Sequence, residues 1–496
     1  MKVKRLHLQN YGRFEDLKID FAPTAEKTGN VTVIVGNNGA GKSQILQALA
    51  TSLSWFIAKL NDENADGVEL SQSDIKNNTH LSSVKTSIED LSCIERNKKW
   101  VEESIQADWK IDATTEKKFR PATYGLRVNR LSKVIRSYIY KFKKNEETSL
   151  PIFAYYPVER IIRSTPVEVS DDFVNNQFTA YDNALKKSVN FESFFSWFRE
   201  REDIENEKIV NSAKSVETQN ESALIKSLKS NFEYPIGERN KKLSEDELDP
   251  FMSDFIKEFR INFFSQYYKV DDKLLSSVRQ SIEFFTSFKN IHIRRQGTPT
   301  MIVEKDGEEL DVNQLSQGEK SLFALVGDIA HRLALLNPSL DNPLEGEGVV
   351  MIDEVDLHLH PKWQHDLIDK LVATFPNVQF ILTTHSPHVI SDRNDILLYS
   401  LDDGELTKMP NVYGEDANTV LTKIFDVDIR DSKVEEQFNV IRRAISNQDY
   451  PTAEIYLAEL AEKLPSDHLE LLKCRLLLAQ AKLGSSINNE SSHAKD

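Results

Sequence analysis

The sequence has little cysteine, no long apolar run and an excess of acidic residues. Cys93 and Cys474 are the only cysteines among 496 residues, which excludes a disulfide scaffold. No apolar run reaches the ~18 residues that a membrane helix needs. The basic amino terminus also lacks an apolar signal core, so we expect a soluble, cytoplasmic protein. The net charge of −16 argues against a general DNA coat, because neutralising phosphates requires clustered basic residues.

What remains is the composition of a globular protein with a substantial core, since 40% of the residues are apolar and 28% are charged. The length predicts about two to four domains. Short apolar or alternating runs predict strands at 3–8, 17–21 and 31–35, and a helix follows at 41–60. Beyond this first lobe we expect a mainly helical insertion, from which a strand near 151–158 returns to the lobe.

The second half of the sequence again predicts mixed α/β structure. Antiparallel strands are expected at 291–312, a helix at 316–336, and buried strands at 349–352 and 379–383. The tail has leucine and alanine at helical spacing, which predicts helical hairpins. The predicted domains are therefore 1–60, 61–290, 291–410 and 411–496.

A glycine-rich turn between the strand at 31–35 and the following helix carries the strongest functional signal. Its sequence, G-N-N-G-A-G-K-S, matches G-x-x-x-x-G-K-S in full. The glycines let consecutive backbone N–H groups face a phosphate, and the helix N-terminus adds partial positive charge. In such a loop Lys42 bridges the β- and γ-phosphates and Ser43 holds Mg²⁺. The alternative is a glycine-rich turn that binds no ligand. The motif instead predicts an ATP and Mg²⁺ site formed by Gly36, Asn37, Asn38, Gly39, Ala40, Gly41, Lys42 and Ser43.

The strand predicted at 349–352 ends in two adjacent carboxylates, Asp353 and Glu354. Neighbouring carboxylates repel each other unless a cation or a solvent-facing role separates them. Open α/β sheets bind ligands at the carboxyl ends of their strands. We therefore expect Asp353 to bind Mg²⁺ and Glu354 to orient or deprotonate the attacking water. A helix N-cap is the alternative, but the phosphate loop favours the catalytic interpretation.

Three histidines lie close to these strands. His385 follows the strand at 379–383 and is expected to contact the γ-phosphate, although a lone histidine at a strand end is more often structural. His358 and His360 form an H-x-H pattern that is also found in metal sites. No cysteine or further histidine cluster in the sequence supports a metal site there. A short loop before a helix that starts at Pro361 is therefore the better interpretation.

A second anion site is predicted at the start of the helix at 316–336. Ser316 and Gly318 lie where free N–H groups and a hydroxyl face solvent. Ser316 with Glu319 also matches a capping box, and both interpretations can hold together. Because the chain already has a complete phosphate loop, a second γ-phosphate site most naturally serves another subunit.

Together these motifs resemble the ABC-type ATPases of the SMC, RecF and OLD group. The resemblance implies an ABC-type P-loop ATPase head, an α/β fold with a mixed sheet and an antiparallel β subdomain, plus a helical insertion and tail. Two heads would sandwich two ATP molecules, with Ser316 and Gly318 acting in trans and Asp356 between the sites. The motifs are G-N-N-G-A-G-K-S, L-S-Q-G-E-K, V-V-M-I-D-E, D-L-H-L-H-P and T-T-H-S-P.

The same resemblance assigns further residues. His385 matches the switch histidine of the class, and Arg13 in N-Y-G-R-F matches an arginine that contacts phosphate. Gln317 stands where transporters have glycine, as is common in the soluble branch. Residues 155–160 lie where the class has its Q-loop.

The branch follows from what accompanies the head. Sustained heptads are absent between Lys42 and Leu315, which excludes a long coiled coil. The D-x-D at 426–428 lacks the other features of a TOPRIM nuclease. Segments such as A-Y-D-N-A-L at 180–185 and G-E-D-A-N at 414–418 are similar to the PtuA-like ATPases of Septu and retron antiphage systems. That resemblance implies a homodimer or higher oligomer, a small HNH nuclease partner (PtuB-like), and in retrons a reverse transcriptase with its RNA–DNA product.

Our hypothesis is an ATP-dependent defence regulator with slow turnover that controls a partner nuclease, because the sequence has an ATPase site and no nuclease site. The C-terminal hairpins are the expected docking region. A RecF-like DNA repair ATPase and an ATP-gated scaffold with little turnover are the alternatives. The sequence shows no basic tract, so we expect DNA contact to be indirect or to use a local groove formed on dimerisation.

Overall fold

A computed structural model describes residues 1–96, 99–115, 128–145, 148–158, 176–186, 193–208, 272–425, 432–465 and 467–493. The chain divides after Gly414 into two compact units, Met1–Gly414 and Glu415–Asp496. The end of the predicted Q-loop segment, at 159–160, and the D-x-D at 426–428 lie outside the described residues.

A six-stranded sheet forms the centre of the first unit. Its strands are β3 (Val31–Val35), β6 (Ile152–Tyr156), β10 (Gly348–Ile352), β11 (Val378–Thr383), β12 (Leu397–Asp402) and β13 (Glu405–Lys408). The order is β13-β12-β3-β11-β10-β6, and all neighbours are parallel except the edge pair β12 and β13. Every residue of β3, β6, β10 and β11 is buried, which explains their mainly apolar sequences.

A four-stranded antiparallel sheet accompanies the central one. It contains β1 (Lys2–Tyr11), β2 (Phe14–Asp20), β4 (Leu81–Arg96) and β5 (Lys99–Thr114), in the order β2-β1-β4-β5. A second antiparallel sheet consists of β7 (Lys289–Arg294), β8 (Thr300–Lys305) and β9 (Glu308–Asp311). The predicted α/β head with a mixed sheet and an antiparallel β subdomain is confirmed.

The expectation of a mainly helical insertion is wrong for residues 81–96 and 99–114, which form β4 and β5. Alternate residues of β4 are buried, as in any strand with one covered face. Many of them are polar, however: Ser82, Thr86, Asp90 and Ser92 are almost inaccessible to solvent. Thr86, for example, donates a hydrogen bond to the Ser52 hydroxyl at 2.6 Å. Because polar side chains such as Thr86, Asp90 and Ser92 are hydrogen-bonded on the covered face, the period of two is hidden from a hydrophobicity pattern.

Helices surround these sheets. A 20-residue helix, α5 (Gln317–Leu336), starts within the L-S-Q-G-E-K motif at 315–320, which we call the signature. This helix is almost wholly buried from Ser321 onward. The helix predicted to start at Pro361 is interrupted at Asp366. The helices of the first unit are α1 (Lys42–Asn61), α2 (Val128–Lys144), α3 (193–208), α4 (Lys273–Thr286), α5 (Gln317–Leu336), α6 (Pro361–His365), α7 (Leu367–Thr374) and α8 (Pro387–Ser391). Short 3₁₀ helices lie at Gln72–Asp74, Gln177–Tyr181, Val312–Gln314 and Pro343–Glu345.

The second unit is helical. Its helices are α9 (Ala417–Phe425), α10 (Ser432–Ser446), α11 (Tyr450–Lys463) and α12 (Leu469–His493). Phe438, Ile441, Leu460 and Leu471 form the centre of its apolar core. Among the described helices of both units, none is long and apolar enough to cross a membrane.

Candidate nucleotide-binding site

The phosphate loop connects the end of β3 to the start of α1, and two of its glycines are required by geometry. Gly36 has φ 147°, and a Cβ there would lie 2.0 Å from the carbonyl oxygen of Leu401. Gly41 is the N-cap of α1 with φ 106°, and a Cβ there would lie 2.7 Å from Cζ of Phe14. Side chains at either position would therefore clash with fixed atoms, so the loop conformation depends on glycine.

The rest of the loop faces outward. Asn37, Asn38 and Gly39 are exposed, and the hydroxyl-bearing Ser43 is also exposed at the first turn of α1. Ala40 is buried and its N–H donates to the Asn37 carbonyl at 3.1 Å, which closes the turn. The loop thus presents its backbone and the Ser43 hydroxyl to solvent at a helix N-terminus, as an anion site requires.

Lys42 turns its side chain back over the loop. Its Nζ donates to the carbonyl oxygens of Gly36 at 2.7 Å and Asn37 at 3.1 Å, and it lies 2.8 Å from Nε2 of His385. Burial lowers the pKa of Lys42, while the nearby carboxylates, led by Asp353, raise it. A partly desolvated ammonium held in this way is suited to bind phosphate oxygens.

The two acids after β10 lie against the end of β11. Asp353 is buried and its Oδ1 accepts a hydrogen bond from the Thr383 hydroxyl at 2.5 Å. The backbone N–H of Glu354 donates to the same hydroxyl oxygen at 2.7 Å. Glu354 has φ 45°, a left-handed conformation that is strained for a side-chain-bearing residue. Thr383 therefore orients both acids. The sequence analysis placed this threonine in the T-T-H-S-P motif but assigned it no role.

His385 follows β11 and joins the loop to the acids. Burial and the neighbouring Lys42 lower its pKa, whereas Glu354, Asp356 and Asp353 raise it. Thr384, one residue earlier, donates its hydroxyl to a carboxylate oxygen of Asp356. The carboxyl ends of adjacent parallel strands thus bring the predicted lysine, acids and histidine together at one sheet edge, where α/β sheets bind ligands.

The signature has the geometry of a capped helix start. Ser316 is the exposed N-cap of α5. Its N–H donates to Oε2 of Glu319 at 2.9 Å and its hydroxyl oxygen accepts from the Glu319 N–H at 3.4 Å, which are the two bonds of a capping box. Lys305 on β8 pairs with Glu319 at 2.6 Å. Gly318 is pressed against the loop after β10, because a Cβ there would lie 2.3 Å from the carbonyl oxygen of His358. Within the described part of the chain, no hydrogen bond or ion pair joins Ser316 or Gly318 to the phosphate loop.

Arg13 lies beside the phosphate loop. Its guanidinium donates to the Gly39 carbonyl and pairs with Asp403 at 2.6 Å. Its backbone N–H donates to the side chain of Gln44 at 3.3 Å. Since Asp403 is almost fully exposed, the arginine is held near the loop by a contact that is weak in water.

A buried polar network connects the acid strand to the signature helix, and the sequence motifs did not reveal it. The N–H of Asp353 donates to the carbonyl of Tyr156 at 2.8 Å. The hydroxyl of Tyr156 donates to Asp328 of α5 at 2.8 Å, and Arg332 pairs with the same carboxylate at 2.7 Å. Arg332 also donates to the Ala180 carbonyl. Scattered polar residues of this kind become recognisable as a network only in three dimensions.

The residues present fit a nucleoside triphosphate with Mg²⁺. The loop offers backbone N–H groups and an ammonium for phosphates, while Ser43 and Asp353 supply the oxygen ligands that Mg²⁺ prefers. Mg²⁺ in such sites takes few protein ligands and completes its shell with phosphate oxygens and water. Among the residues that the structure describes, no group of three or more His, Cys, Asp or Glu could hold a metal alone, including the H-x-H segment.

Comparison with known proteins gives consistent matches. The model of the AAA ATPase domain family matches residues 1–390. The retron Ec83 probable ATPase of Escherichia coli is 33% identical over 480 residues, covering 94% of this chain and 82% of that protein. The retron Vc95 probable ATPase of Vibrio cholerae is 33% identical over 410 residues, which cover 79% of this chain and 71% of that protein.

Two further matches are more limited. The Septu protein PtuA of Bacillus thuringiensis is 33% identical over 143 residues, which cover 27% of this chain and 36% of that protein. Among solved structures, the SMC head domain from Thermotoga maritima aligns over 83% of this chain and 99% of its own, at 15% identity and a TM-score of 0.32.

Proposed function

Because the chain belongs to the AAA ATPase domain family, we propose that it is the ATP-hydrolysing subunit of a retron- or Septu-type antiphage defence system. The observation that carries the proposal is the meeting of Lys42, Asp353, Glu354 and His385 at one edge of the central sheet. Relatives of similar length named as retron ATPases support the defence role.

In this proposal each side chain has one task. Lys42 binds the β- and γ-phosphates. Ser43 with Asp353 would hold Mg²⁺, which would supply positive charge to stabilise the phosphoryl group during transfer. Glu354 orients the attacking water and accepts its proton. His385 contacts the γ-phosphate from the side of β11. The left-handed backbone at Glu354, together with the hydrogen bond from its N–H to Thr383, sets the direction in which the Glu354 side chain leaves the backbone.

Head dimerisation would complete each site. Ser316 and Gly318 belong to the exposed start of α5, and we assign them to the γ-phosphate of a second subunit. The close approach of Gly318 to His358 supports this assignment, because it couples the signature to the loop that begins at Asp356. A nucleotide bound between two such heads would contact both of them and so stabilise the dimer.

Hydrolysis by the purified full-length chain tests the catalytic part. Phosphate release from ATP and MgCl₂ should fall by a factor of about 10² or more in Glu354→Gln, as is typical for loss of a general base. The matched control is Glu405→Gln, which removes one exposed carboxylate from the hairpin of β12 and β13. Equal rates in wild type and Glu354→Gln would contradict the assignment.

The regulatory part concerns a partner. We propose that the dimer restrains or licenses an HNH nuclease, and in a retron also contacts a reverse transcriptase with its RNA–DNA product. Co-expression with the products of the adjacent reading frames should yield a complex in which nuclease activity responds to ATP. Neighbours that encode neither a nuclease, a toxin nor a reverse transcriptase would remove the basis for this role while leaving the ATPase assignment intact.

A further inference from the structure

Helix α2 is strongly basic although the chain as a whole carries a net charge of −16. Its 17 residues, V-N-R-L-S-K-V-I-R-S-Y-I-Y-K-F-K-K, contain no acidic side chain. The sequence expectation that the chain lacks a basic tract is therefore wrong. The tract was hidden because apolar and aromatic residues separate its charges, which are Arg130, Lys133, Arg136, Lys141, Lys143 and Lys144.

The charges of α2 divide into a paired and an unpaired set. Arg136 approaches Glu63 at 3.4 Å and Lys141 approaches Glu102 at 3.5 Å. The other four are exposed, and none of them forms an ion pair with any residue that the structure describes. We call this set the α2 basic face; it consists of Arg130, Lys133, Lys143 and Lys144.

The opposite side of α2 is fixed to the antiparallel sheet. Val134 and Ile135 are buried there, with exposed fractions of 0% and 2%. Ser137 accepts a hydrogen bond from the N–H of Cys93 at 2.7 Å, and the Tyr138 hydroxyl donates to Asp90 at 2.9 Å. A basic amphipathic helix often binds membranes through its apolar side. Here that side is already packed in the protein, so only the charges are available for a ligand.

An aromatic pair adjoins the basic face. Trp100 at the start of β5 stacks on Tyr140 of α2, with ring centroids 3.7 Å apart and planes 13° apart. Trp100 remains 39% exposed, so part of its ring is accessible. Stacking platforms next to a positively charged track are the combination by which proteins bind single-stranded nucleic acids.

We propose that the α2 basic face binds the phosphodiester backbone of a nucleic acid. Arg130 and Lys144, the outermost of the four, are 14 positions apart, which is about 21 Å at 1.5 Å per residue. That length spans several phosphates of one strand, whose charges recur about every 3.4 Å. The surface is formed within one chain and needs neither ATP nor a second head, so this inference does not rest on the proposed ATPase function.

Binding is tested with the full-length chain and fluorescently labelled nucleic acids in the absence of nucleotide. One arm uses a 30-base-pair DNA duplex, and the others use single-stranded DNA and single-stranded RNA of the same length. The test variant replaces Arg130, Lys133 and Lys144 by glutamine. The matched control replaces the exposed Lys463, Lys473 and Arg475 of the second unit by glutamine, which removes the same total charge.

Because each phosphate contact contributes about 0.9 to the slope of log K against log salt for duplex DNA, the test variant should lose about 2.7 of that slope. We expect at least tenfold weaker binding at 50 mM NaCl for the test variant and unchanged binding for the control. Trp100→Ala should weaken the single-stranded arms more than the duplex arm. Circular dichroism at equal concentration verifies that the variants fold.

Three outcomes would overturn the proposal: no binding of any arm at 50 mM NaCl, equal losses in the test and control variants, or an unchanged salt slope in the test variant. An absence of ATP hydrolysis in the same preparation would contradict the proposed ATPase and leave this result standing. The two failures are thus distinguishable.

Discussion

The ammonium nitrogen of Lys42 lies 2.8 Å from Nε2 of His385, so a residue of the phosphate loop and a residue at the end of β11 contact each other directly. At that distance the ammonium donates a hydrogen bond to Nε2. This bond requires a neutral imidazole whose own proton is on Nδ1. The lowered pKa of His385, caused by burial and by Lys42, favours that neutral form. The two side chains therefore lie side by side, as the proposed contact of both groups with one γ-phosphate requires.

Paired substitutions at Lys42 and Glu354 separate an enzyme from an ATP-gated scaffold. Lys42→Ala removes the phosphate ligand, so we expect loss of ATP binding in a filter or fluorescence assay and loss of defence in cells. Glu354→Gln should retain ATP binding and accumulate dimers, detected by light scattering. If turnover is required, both variants fail in defence. Full defence by Glu354→Gln would instead favour the scaffold.

Mixed subunits test whether the signature acts in trans. Lys42→Ala and Ser316→Arg should each be inactive alone, because every composite site in either homodimer lacks one component. A mixture forms heterodimers with one intact and one doubly altered site, so phosphate release should recover to a measurable fraction of the wild-type rate. Failure to recover in mixtures that form heterodimers would place the signature and the phosphate loop in separate functions. Wild type mixed with Glu405→Gln serves as the control for exchange.

A buried histidine predicts a pH dependence of stability. Burial lowers the pKa of His331 to about 3, from an ordinary value of 6.5. Between these pH values the unfolded chain binds more protons than the folded chain, so stability falls as the pH drops below 6.5. His331→Leu removes this term and packs an apolar side chain beside Trp197, whose ring lies 4.6 Å away. The thermal unfolding midpoint should therefore fall less between about pH 7 and pH 5 in the variant.

The exposed His80 provides the comparison for that measurement. His80→Gln should keep the wild-type pH dependence, because the difference arises from burial. If His331→Leu and wild type lose stability in parallel as the pH falls, the buried imidazole is not the source of the acid sensitivity.

The hydroxyl of Tyr156 should contribute to the connection between the acid strand and the signature helix. Tyr156→Phe leaves the buried Asp328 without one hydrogen-bond donor, which costs about 1–3 kcal/mol. We expect a lower thermal midpoint and a reduced rate of hydrolysis at saturating ATP. Tyr155→Phe on the same strand is the matched control, because its hydroxyl has no hydrogen bond to the described residues. Equal effects of the two substitutions would exclude a specific role for the network.

The motifs of the nucleotide site could be located from the sequence because each is local. A phosphate loop needs glycine at fixed positions, and its flanking strand and helix are visible as apolar periodicity. The same holds for the acids after β10 and the capping box at Ser316, whose expected hydrogen bonds are present. The sequence also predicted His385 beside the γ-phosphate, but its contact with Lys42 depends on the placement of β11 between β3 and β10, which the structure decides.

Other features depended on tertiary context. The strands β4 and β5 were not expected, because Ser82, Thr86 and Asp90 occupy the covered face of β4 and remove its apolar alternation. Thr383 gained its role only when β11 was placed beside β10. The basic residues of α2 are dispersed along the sequence, and they form one exposed surface only because the helix buries the apolar residues between them.

The sequence alone determined the class of chemistry, since phosphate binding by glycine, lysine, serine and carboxylates is specified within short segments. Tertiary structure decided which residues support that chemistry, such as Thr383, Tyr156 and Asp328, because hydrogen bonds between distant segments satisfy polar groups that hydrophobic patterns cannot interpret. Tertiary structure also decided that the basic residues of α2 are exposed on an otherwise acidic protein, because burial of the helix's apolar side turns them toward solvent.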